Sequence, residues 1–457
     1  MQLRAQVLRG GLYLAIRHGI VMPIGLVGLL VLSRAIGPAD YGLYVAAAGV
    51  FEYLRGLCEW GVATYLVRRE GEEREEEYAQ GFTLLLALGV AGALIGLAGL
   101  PLLERWIRIE GFGRVAGVML PWLPLWLAGD VALARLERRL DFKRVAMIEV
   151  GTRLMYFAAS LPLAAVGAGV WAAVGGWWAQ NLLALVLQLR GARFRPRLHW
   201  DRAVVRRMLA YGVGFSVSGW VWDARGLVSP FIVGRYAGAE AVGAVALAGR
   251  FAEALSFIKN AAWRISLPAL ARLHGDRSRL SRAIGEGMRL QVLAIGPLLV
   301  GFGLAAPWAI PLALGRSWDA VARIYPFLAF GLLTNAFFSL HSSALYTLGR
   351  NWDVVVFHAV HTGLLVAAAW LLVPDLGAVG YGWAEVAAIA SYSVVHGSVV
   401  RQVGRPEYGL AAVWWAGFAL ALFEPYLGWW ALGGLAVPAL LPATWRELAR
   451  LARSVRG

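Results

Sequence analysis

Runs of about twenty apolar residues recur along almost the whole chain, and this feature limits the fold more than any other. A transmembrane helix needs roughly 20 apolar residues to cross the hydrocarbon core of a bilayer. The chain is 59% hydrophobic and 16% charged, whereas about 25% of the residues in a soluble domain are charged. A transmembrane β-barrel needs alternating strands of roughly ten residues, a pattern that the sequence lacks. The sequence therefore predicts an all-α polytopic membrane protein.

The apolar runs predict about 14 transmembrane helices and short outer loops with no room for a catalytic domain. The first span lacks a small-residue cleavage site, so we expect it to be retained rather than removed as a signal peptide. The most basic linker, 190–207, predicts a boundary between an N-terminal lobe, 1–208, and a C-terminal lobe, 209–408. Residues 409–457 are then two extra helices and a basic tail. The spans lie near 11–32, 41–67, 79–101, 113–133, 145–166, 170–190, 209–233, 240–268, 287–306, 321–341, 352–373, 378–400, 409–425 and 427–443.

The basic residues are distributed unequally between the two sides of this layout. When basic residues near span ends, Arg17 and Arg264 among them, are counted with the adjoining segments, 31 of the 43 lysines and arginines fall on the side of the N-terminus, 7 on the other side and 5 inside spans. Basic residues accumulate in cytoplasmic segments, so both termini are predicted to be cytoplasmic. The net charge of +15 is then a consequence of topology, and no nucleic-acid partner is expected. Cys58 is the single cysteine, which leaves no intrachain disulfide or cysteine-rich metal site.

One stretch of the chain occurs twice. The segment from Ser33 to Arg69 is repeated from Gly234, at an offset of 201 residues. Each copy is an apolar span, a glycine-containing turn and a second span with charges inside it, and internal repeats of this kind are common in transporters. The glycine turns predict a thin outer gate. The matched pairs are Gly37 with Gly238, Gly42 with Gly243, Arg34 with Arg235, Glu52 with Glu253 and Leu66 with Leu267.

Ionisable side chains inside the spans concentrate in the repeated elements. A charge inside a bilayer is costly and usually faces a cavity or a partner. Helical spacing puts these residues on one face of the second and the eighth span, and the prolines Pro23 and Pro230 permit bends in the first and the seventh. The pattern predicts a wet central cavity lined by helices 1, 2, 7 and 8. The polar positions are Arg17, Glu52, Arg55, Glu59, Asp223, Arg225, Arg250, Glu253, Asn260 and Arg264.

Other charged groups have plainer interpretations. Glu52–Arg55 and Arg250–Glu253 are alternatively internal ion pairs that hold helices together. Asp130 and Glu149 are predicted to be interfacial, because they lie near span ends. The acidic run 70–77 is interpreted as a solvated helix cap, and the basic stretch 135–144 as a segment at the lipid headgroups. The chain contains neither GxxxxGK[ST] nor HExxH, so ATP hydrolysis and zinc proteolysis are not expected.

Several connectors resemble those of one known family. These are VLSRAIGPADYGLY, RRLDFKRVAMIEV, GRYAGAEAVGAVALAGRFAEALSFIKNAAWRISLPALARL, LALGRSWDAV, LYTLGRNWDV and VPDLGAVGYGWAEVAA. In order and spacing they resemble the polysaccharide and O-antigen flippases of the multidrug/oligosaccharidyl-lipid/polysaccharide exporter superfamily. The resemblance covers most of residues 10–400. It implies two pseudo-symmetric lobes of six helices around a central cavity, with two further helices.

The resemblance also implies a substrate and a mechanism. An oligosaccharide on undecaprenyl pyrophosphate would be flipped across the inner membrane by alternating access, without an enzymatic step. Arginines would bind the pyrophosphate, since a guanidinium matches phosphate geometry. They are Arg17, Arg55, Arg225, Arg250 and Arg264, with Asn260 beside them.

The energy source and the partners are left open by the same resemblance. Glu52, Glu59, Asp223 and Glu253 are candidates for ion coupling or for cavity ion pairs, with a proton or sodium ion or the membrane potential as the driving force. No cofactor or metal is expected. The expected partners are membrane lipids and polysaccharide polymerase or assembly proteins, and the chain is expected to be a monomer. The alternatives are a multidrug/cation antiporter, a membrane glycosyltransferase or O-antigen polymerase, and a non-transporting scaffold.

Overall fold

The structure is a computed structural model, and it describes residues 2–69, 71, 73–256, 270 and 276–456. The side chains of residues 2–21, 213–215, 218 and 450–456 are outside this description. Asn260 and Arg264 therefore lie outside the described residues, and of Arg17 only its place in a helix is known. Helices dominate the described part of the chain, which contains no strand, as expected from the sequence.

The chain divides into two compact units, Met1–Gly243 and Ala244–Gly457. Unit 1 is the first of these and unit 2 the second. These units are defined by contacts between residues, whereas the predicted lobe boundary at 208/209 rests on the charge of the linker 190–207. The lobe boundary stays a prediction.

Unit 1 consists of antiparallel helices joined by short turns. In this unit α6 packs along α7, α1 packs against α6, and α3 packs against α5. The helices are α1 Gln2–Glu59, α2 Val62–Arg68, α3 Glu75–Ile107, α4 Phe112–Met119, α5 Leu123–Arg138, α6 Phe142–Ala165, α7 Val170–Gly191, α8 Arg202–Asp223 and the first part of α9 Gly234–Leu255.

Unit 2 is built in the same way. Here α10 packs against α11 and α14, α11 packs against α12, and α14 packs against α16. The helices after α9 are α10 Arg277–Leu314, α11 Asp319–Thr347, α12 Asn351–Ala388, α13 Tyr392–Val403, α14 Gly409–Leu422, α15 Glu424–Leu427, α16 Gly433–Leu440 and α17 Pro442–Arg456.

Large apolar side chains lie both inside and outside the two units. Phe51 and Leu85 are buried in unit 1, and Leu333 is buried in unit 2. Ile95 and Leu371 project outward with 68% and 71% of their surface exposed. Exposed aliphatic side chains on long helices are stable when lipid surrounds them. In the described part of the chain, eight helices are long and apolar enough to span a membrane, and two shorter apolar helices follow. The count of 14 stays a prediction.

The long helices are interrupted where the sequence has glycine or proline. Gly37 breaks the helical dihedral angles of α1 at φ 79°, and Gly377 breaks those of α12 at φ 57°. Between α8 and α9 the chain forms a 3₁₀ turn, Ala224–Leu227, and a π-helical turn, Ser229–Val233. Pro230 lies in this π-helical turn, where the ring removes a backbone donor. The seventh span therefore departs from a regular α-helix at the place where the sequence predicts a bend.

Candidate functional site

The polar face of the second span is present in α1. Helical spacing brings Glu52, Arg55 and Glu59 to one side of the helix, and Arg55 Nε donates a hydrogen bond to Glu52 Oε2 over 2.8 Å. The Arg55 guanidinium also lies over the Trp126 ring, 5.5 Å from its centroid. The Arg55 side chain keeps 28% of its surface exposed. Arg55 is therefore a held but accessible cation.

A polar pocket of about 400 Å³ lies beside Arg55 in unit 1. Asp130 on α5 projects into this pocket, one helical turn after Trp126, and Arg55 is within electrostatic range of both Asp130 and Glu59. Asp130 therefore lines a pocket of unit 1, and its interfacial position stays a prediction. The pocket is lined by Arg55, Glu59, Ala63, Thr64, Val67, Arg68, Asp130, Leu133, Ala134 and Glu137.

The end of α8 brings Asp223 to the same face of α1. Asp223 Oδ2 lies 3.4 Å from the position that a Cβ on Gly56 would occupy, and Trp220 Nε1 donates to the Gly56 carbonyl oxygen over 2.9 Å. Gly56 permits this close approach because it has no side chain. Arg225, two residues later, lies over the Trp222 ring at 4.7 Å.

This polar cluster of unit 1, defined as Glu52, Arg55, Glu59, Asp130 and Asp223, carries one guanidinium and four carboxyl groups. The sequence predicts that most of these residues meet, and in unit 1 they do. The acidic surplus was not predicted. Carboxylates in an apolar environment are stabilised by a bound cation or proton, so the cluster has the composition of a site for a proton as well as for an anion at Arg55. Among the described residues no three carboxylates lie close enough together to hold a metal ion.

In unit 2 the structure describes fewer of the predicted site residues. Arg250 Nη1 lies 3.7 Å from Glu253 Oε2, and the two side chains are 66% and 61% exposed. Such an exposed pair contributes little to stability, on the order of 0–1 kcal/mol. The Arg250 side chain is therefore mostly exposed.

The four glycines of the predicted gate lie together in unit 1. Gly37 and Gly238 have nearly the same left-handed backbone, with φ of 79° and 81°. A Cβ on Gly42 would overlap the Ala239 carbonyl oxygen, and a Cβ on Gly243 would lie 3.1 Å from the Gly42 nitrogen. The two repeated turns thus pack backbone against backbone. Their role as an outer gate stays a prediction.

A second charged cluster joins the loop before α3 to the end of α5. Arg135 is only 5% exposed, and it donates hydrogen bonds to Glu73 at 3.4 Å and to Glu75, with its guanidinium 5.2 Å from the centroid of the Tyr78 ring. Arg139 Nη2 donates to Glu73 Oε2 over 2.6 Å. This hydrogen bond lowers the pKa of Glu73 below its usual value.

The acidic run and the basic stretch therefore neutralise each other. Glu77, in the same run, is buried and pairs with Arg69. The interpretation of 70–77 as a solvated cap is wrong for Glu77, which is buried, whereas Glu75 and Glu76 are exposed in the first turn of α3, as that interpretation predicts. The interpretation of 135–144 as a headgroup-binding segment is also wrong for Arg135, which is buried.

The family model described as "Polysaccharide biosynthesis protein" matches residues 31–323. The succinoglycan biosynthesis transport protein ExoT of Rhizobium meliloti (strain 1021) is 24% identical over 380 residues, which are 77% of this chain and 74% of that protein. The lipopolysaccharide biosynthesis protein WzxC of Escherichia coli (strain K12) is 23% identical over 335 residues, 71% of this chain and 66% of that protein. The matched segment thus spans just under two thirds of WzxC.

Solved structures show the same fold. The lipid II flippase MurJ, in an inward closed conformation, superposes with a TM-score of 0.75 at 13% identity, over 98% of this chain and 100% of that chain. An inward-facing multidrug resistance MATE family transporter of the MOP superfamily superposes with a TM-score of 0.68 at 16% identity, over 86% and 98% of the two chains. At these identities the similarity establishes the fold and leaves the substrate open.

Proposed function

The chain belongs to the family of polysaccharide biosynthesis proteins, and we propose that it is a flippase for an oligosaccharide linked to undecaprenyl pyrophosphate. The observation that carries this proposal is the family match over residues 31–323. Two further similarities support it. A relative is named as a succinoglycan transport protein, and a chain of the same fold is named as a lipid II flippase. These are names of transporters, which argues against the glycosyltransferase and polymerase alternatives.

The pyrophosphate is proposed to bind to arginine. Arg55 is accessible from the pocket of unit 1 and is held by a single short ion pair to Glu52. A phosphate oxygen that enters the pocket competes with Glu52 for the guanidinium, because both are anionic acceptors of the same geometry. Arg225 and the exposed Arg250 are proposed as further phosphate contacts. Arg17 and Arg264 are also proposed as phosphate contacts, on the basis of the sequence alone.

The transport step is proposed to be alternating access, with the polyprenyl tail remaining in the bilayer. The head group then avoids the hydrocarbon core, where charged groups are costly. The inner membrane is its proposed location, with both termini cytoplasmic. Glu59, Asp130 and Asp223 are proposed to hold the coupling cation, a proton or a sodium ion. When a phosphate binds to Arg55, Glu52 loses its ion pair. The carboxyl groups of Glu52, Glu59, Asp130 and Asp223 then have less positive charge near them, which favours binding of the coupling cation.

A second candidate function is a multidrug/cation antiporter, and one observation favours it. The polar cluster of unit 1 has four carboxyl groups around one guanidinium, and an acidic cavity attracts cationic compounds. The excess of arginine among the other predicted site residues argues for an anionic substrate. The two candidates therefore differ in the charge of the transported substrate, which is negative for the flippase and positive for the antiporter.

Sided transport in proteoliposomes tests the proposal. The purified chain is reconstituted with a polyprenyl-pyrophosphate-linked oligosaccharide that carries a fluorophore on the sugar, and a membrane-impermeant quencher is added outside. A flippase makes nearly all of the fluorophore accessible to the quencher, while protein-free vesicles leave about half protected. Uptake of a cationic dye without movement of the labelled oligosaccharide would instead support the antiporter.

A further inference from the structure

A cavity of about 480 Å³ opens at one end of unit 2. It lies where α10, the first turns of α11 and the short helix α15 come together. A volume of this size is within the range of small-molecule binding sites, roughly 300–1,000 Å³. The cavity combines one carboxylate, one guanidinium and an apolar wall of prolines and a tyrosine ring. It is lined by Pro307, Asp319, Ala322, Arg323, Pro425 and Tyr426.

Asp319 and Arg323 present opposite charges to this cavity. Asp319 is the first residue of α11, and Arg323 follows one helical turn later. Residues four apart lie on the same side of a helix, with their Cβ atoms about 5–6 Å apart. Both residues are exposed, and among the residues that the structure describes neither side chain takes part in an ion pair. The cavity therefore presents a cation and an anion side by side, as two separate contacts.

Tyr426 joins α15 to α11 at the edge of the cavity. Its Oη donates a hydrogen bond to the Arg323 carbonyl oxygen over 2.7 Å, and its ring lies 5.0 Å from the Phe327 ring, centroid to centroid. The Tyr426 side chain still keeps 42% of its surface exposed. An ammonium group over the face of a tyrosine ring is attracted by the ring. The cavity thus has a second feature, besides Asp319, that favours a cationic group.

Exposed apolar side chains place the cavity at the level of the lipid head groups. Trp308 follows Pro307 and is 66% exposed, and Trp429 lies three residues after Tyr426 and is 81% exposed. Tryptophan is enriched where a membrane protein meets the head groups. Leu312, one turn beyond Trp308 on α10, is 77% exposed, as expected for a side chain in contact with lipid. Apolar surface for acyl chains therefore lies beside the charged cavity.

We propose that this cavity binds the head group of a zwitterionic phospholipid of the ethanolamine type. The phosphate accepts hydrogen bonds from the Arg323 guanidinium, and the primary ammonium donates to the Asp319 carboxylate beside the Tyr426 ring. The two charged groups of this head group are joined by an ethylene link, so they span a distance similar to that between neighbouring side chains on α11.

Two other head groups match the cavity less well. A phosphatidylglycerol head group satisfies Arg323, but it brings a negative charge and no cation to Asp319. A choline head group has a quaternary nitrogen without an N–H group, so it cannot donate a hydrogen bond to Asp319. The site goes beyond the proposed flippase activity and does not rest on it, because the lipid here is a bound partner of unit 2 and is not the transported substrate.

Native mass spectrometry of the full chain in detergent tests this site. The protein is titrated with phosphatidylethanolamine, phosphatidylcholine or phosphatidylglycerol of identical acyl chains, and the dissociation constant of the first bound lipid is measured. The variants are Asp319→Asn, Arg323→Gln and the conservative Asp319→Glu. Arg350→Gln and Asp353→Asn are the matched controls, since these two residues also place a cation and a carboxylate at the start of a helix in unit 2 but pair with each other at 3.1 Å.

Wild type should bind phosphatidylethanolamine about fivefold more tightly than the other two lipids, as for a charge pair at an exposed site. Asp319→Asn should lose the preference over phosphatidylcholine, and Asp319→Glu should keep it. Arg323→Gln should weaken binding of phosphatidylethanolamine by about fivefold, while both controls behave as wild type.

The proposal is overturned if wild type does not distinguish the three lipids, or if Asp319→Asn keeps the preference of wild type. Equal affinity for soluble O-phosphoethanolamine, which has no acyl chains, would show that the ligand is not a lipid. Displacement of phosphatidylethanolamine by the lipid-free oligosaccharide in wild type, but not in Asp319→Asn, would assign the cavity to a sugar instead.

Discussion

Gly42 and Gly243, which the sequence repeat pairs at an offset of 201 residues, lie directly against each other in unit 1. A Cβ built on Gly243 would be 3.1 Å from the Gly42 nitrogen and 3.3 Å from its Cα. Each glycine also faces a carbonyl oxygen of the opposite turn, that of Ala239 or of Pro38. The repeat is therefore an internal contact of the fold as well as a sequence pattern.

Alanine at either glycine should disrupt this contact. In Gly42→Ala and Gly243→Ala the new methyl group meets backbone, which cannot rotate away, so we expect a loss of about 1–3 kcal/mol and reduced export. Thermal unfolding of the purified variants and surface glycan in cells measure the two effects. Gly99→Ala is the control, because a Cβ on Gly99 has nothing within 4 Å. Equal unfolding temperatures for all three variants would show that the two turns are not tightly packed.

Arg55 should be required for transport, and the shape of its side chain should matter. Arg55→Ala removes the guanidinium from the pocket, so we expect transport of the labelled oligosaccharide to fall at least tenfold. Arg55→Lys keeps the charge and loses the planar fork, and an intermediate rate is expected. The proteoliposome assay gives these rates. Full transport by Arg55→Ala would identify Arg55 as a structural partner of Glu52 only.

Asp130 should affect coupling more than substrate binding. Asp130→Asn keeps the size of the side chain and removes its titratable carboxyl group from the pocket beside Arg55. We expect transport to lose most of its response to an imposed proton or sodium gradient, with the concentration dependence for substrate largely kept. Glu149→Gln is the comparison, because Glu149 is the other carboxylate predicted to be interfacial. A response to both gradients as large as that of wild type would exclude Asp130 from coupling.

Arg135 should be important for the stability of unit 1. It is buried and joins the α5 end to Glu73 and Glu75. Arg135→Ala leaves these carboxylates without their partner, so we expect a loss of about 2 kcal/mol, measured by thermal unfolding. Arg279→Ala is the control, since its pair with Asp276 is exposed and should contribute about 0–1 kcal/mol.

The Glu73–Arg139 hydrogen bond should give the chain an acid-sensitive component of stability. Because Arg139 lowers the pKa of Glu73 in the folded chain, this contribution is fully present above the unfolded value of about 4.3. It is lost as the pH falls through the lower folded value. Glu73→Gln should therefore flatten the fall in unfolding temperature below about pH 4. The same acid slope in Glu73→Gln and wild type would contradict this assignment, and Glu110→Gln, at an exposed carboxylate, is the control.

Much of the architecture follows from local sequence features. Apolar runs predict the helices, Gly37 and Gly238 predict the two turns, and the spacing of Glu52, Arg55 and Glu59 predicts a polar helix face. These are short-range patterns set by helix geometry and backbone freedom. They do not depend on which helices become neighbours.

Features that depend on neighbouring helices were less predictable. The sequence places Asp130 near a span end, because the apolar run ends near residue 133, and it gives no sign that Asp130 on α5 lines a pocket with Arg55. The pairing of Arg135 with Glu73 joins segments about sixty residues apart in the chain.

The most direct test of the central claim is the leaflet in which the lipid-linked precursor accumulates. A strain deleted for this chain is complemented with wild type, Arg250→Ala or Arg250→Lys, and membrane insertion is verified for each. The account predicts that wild type restores surface glycan, while Arg250→Ala leaves the precursor on the inner leaflet and Arg250→Lys restores it in part. A deletion strain that still moves its precursor to the outer leaflet would contradict the flippase assignment itself.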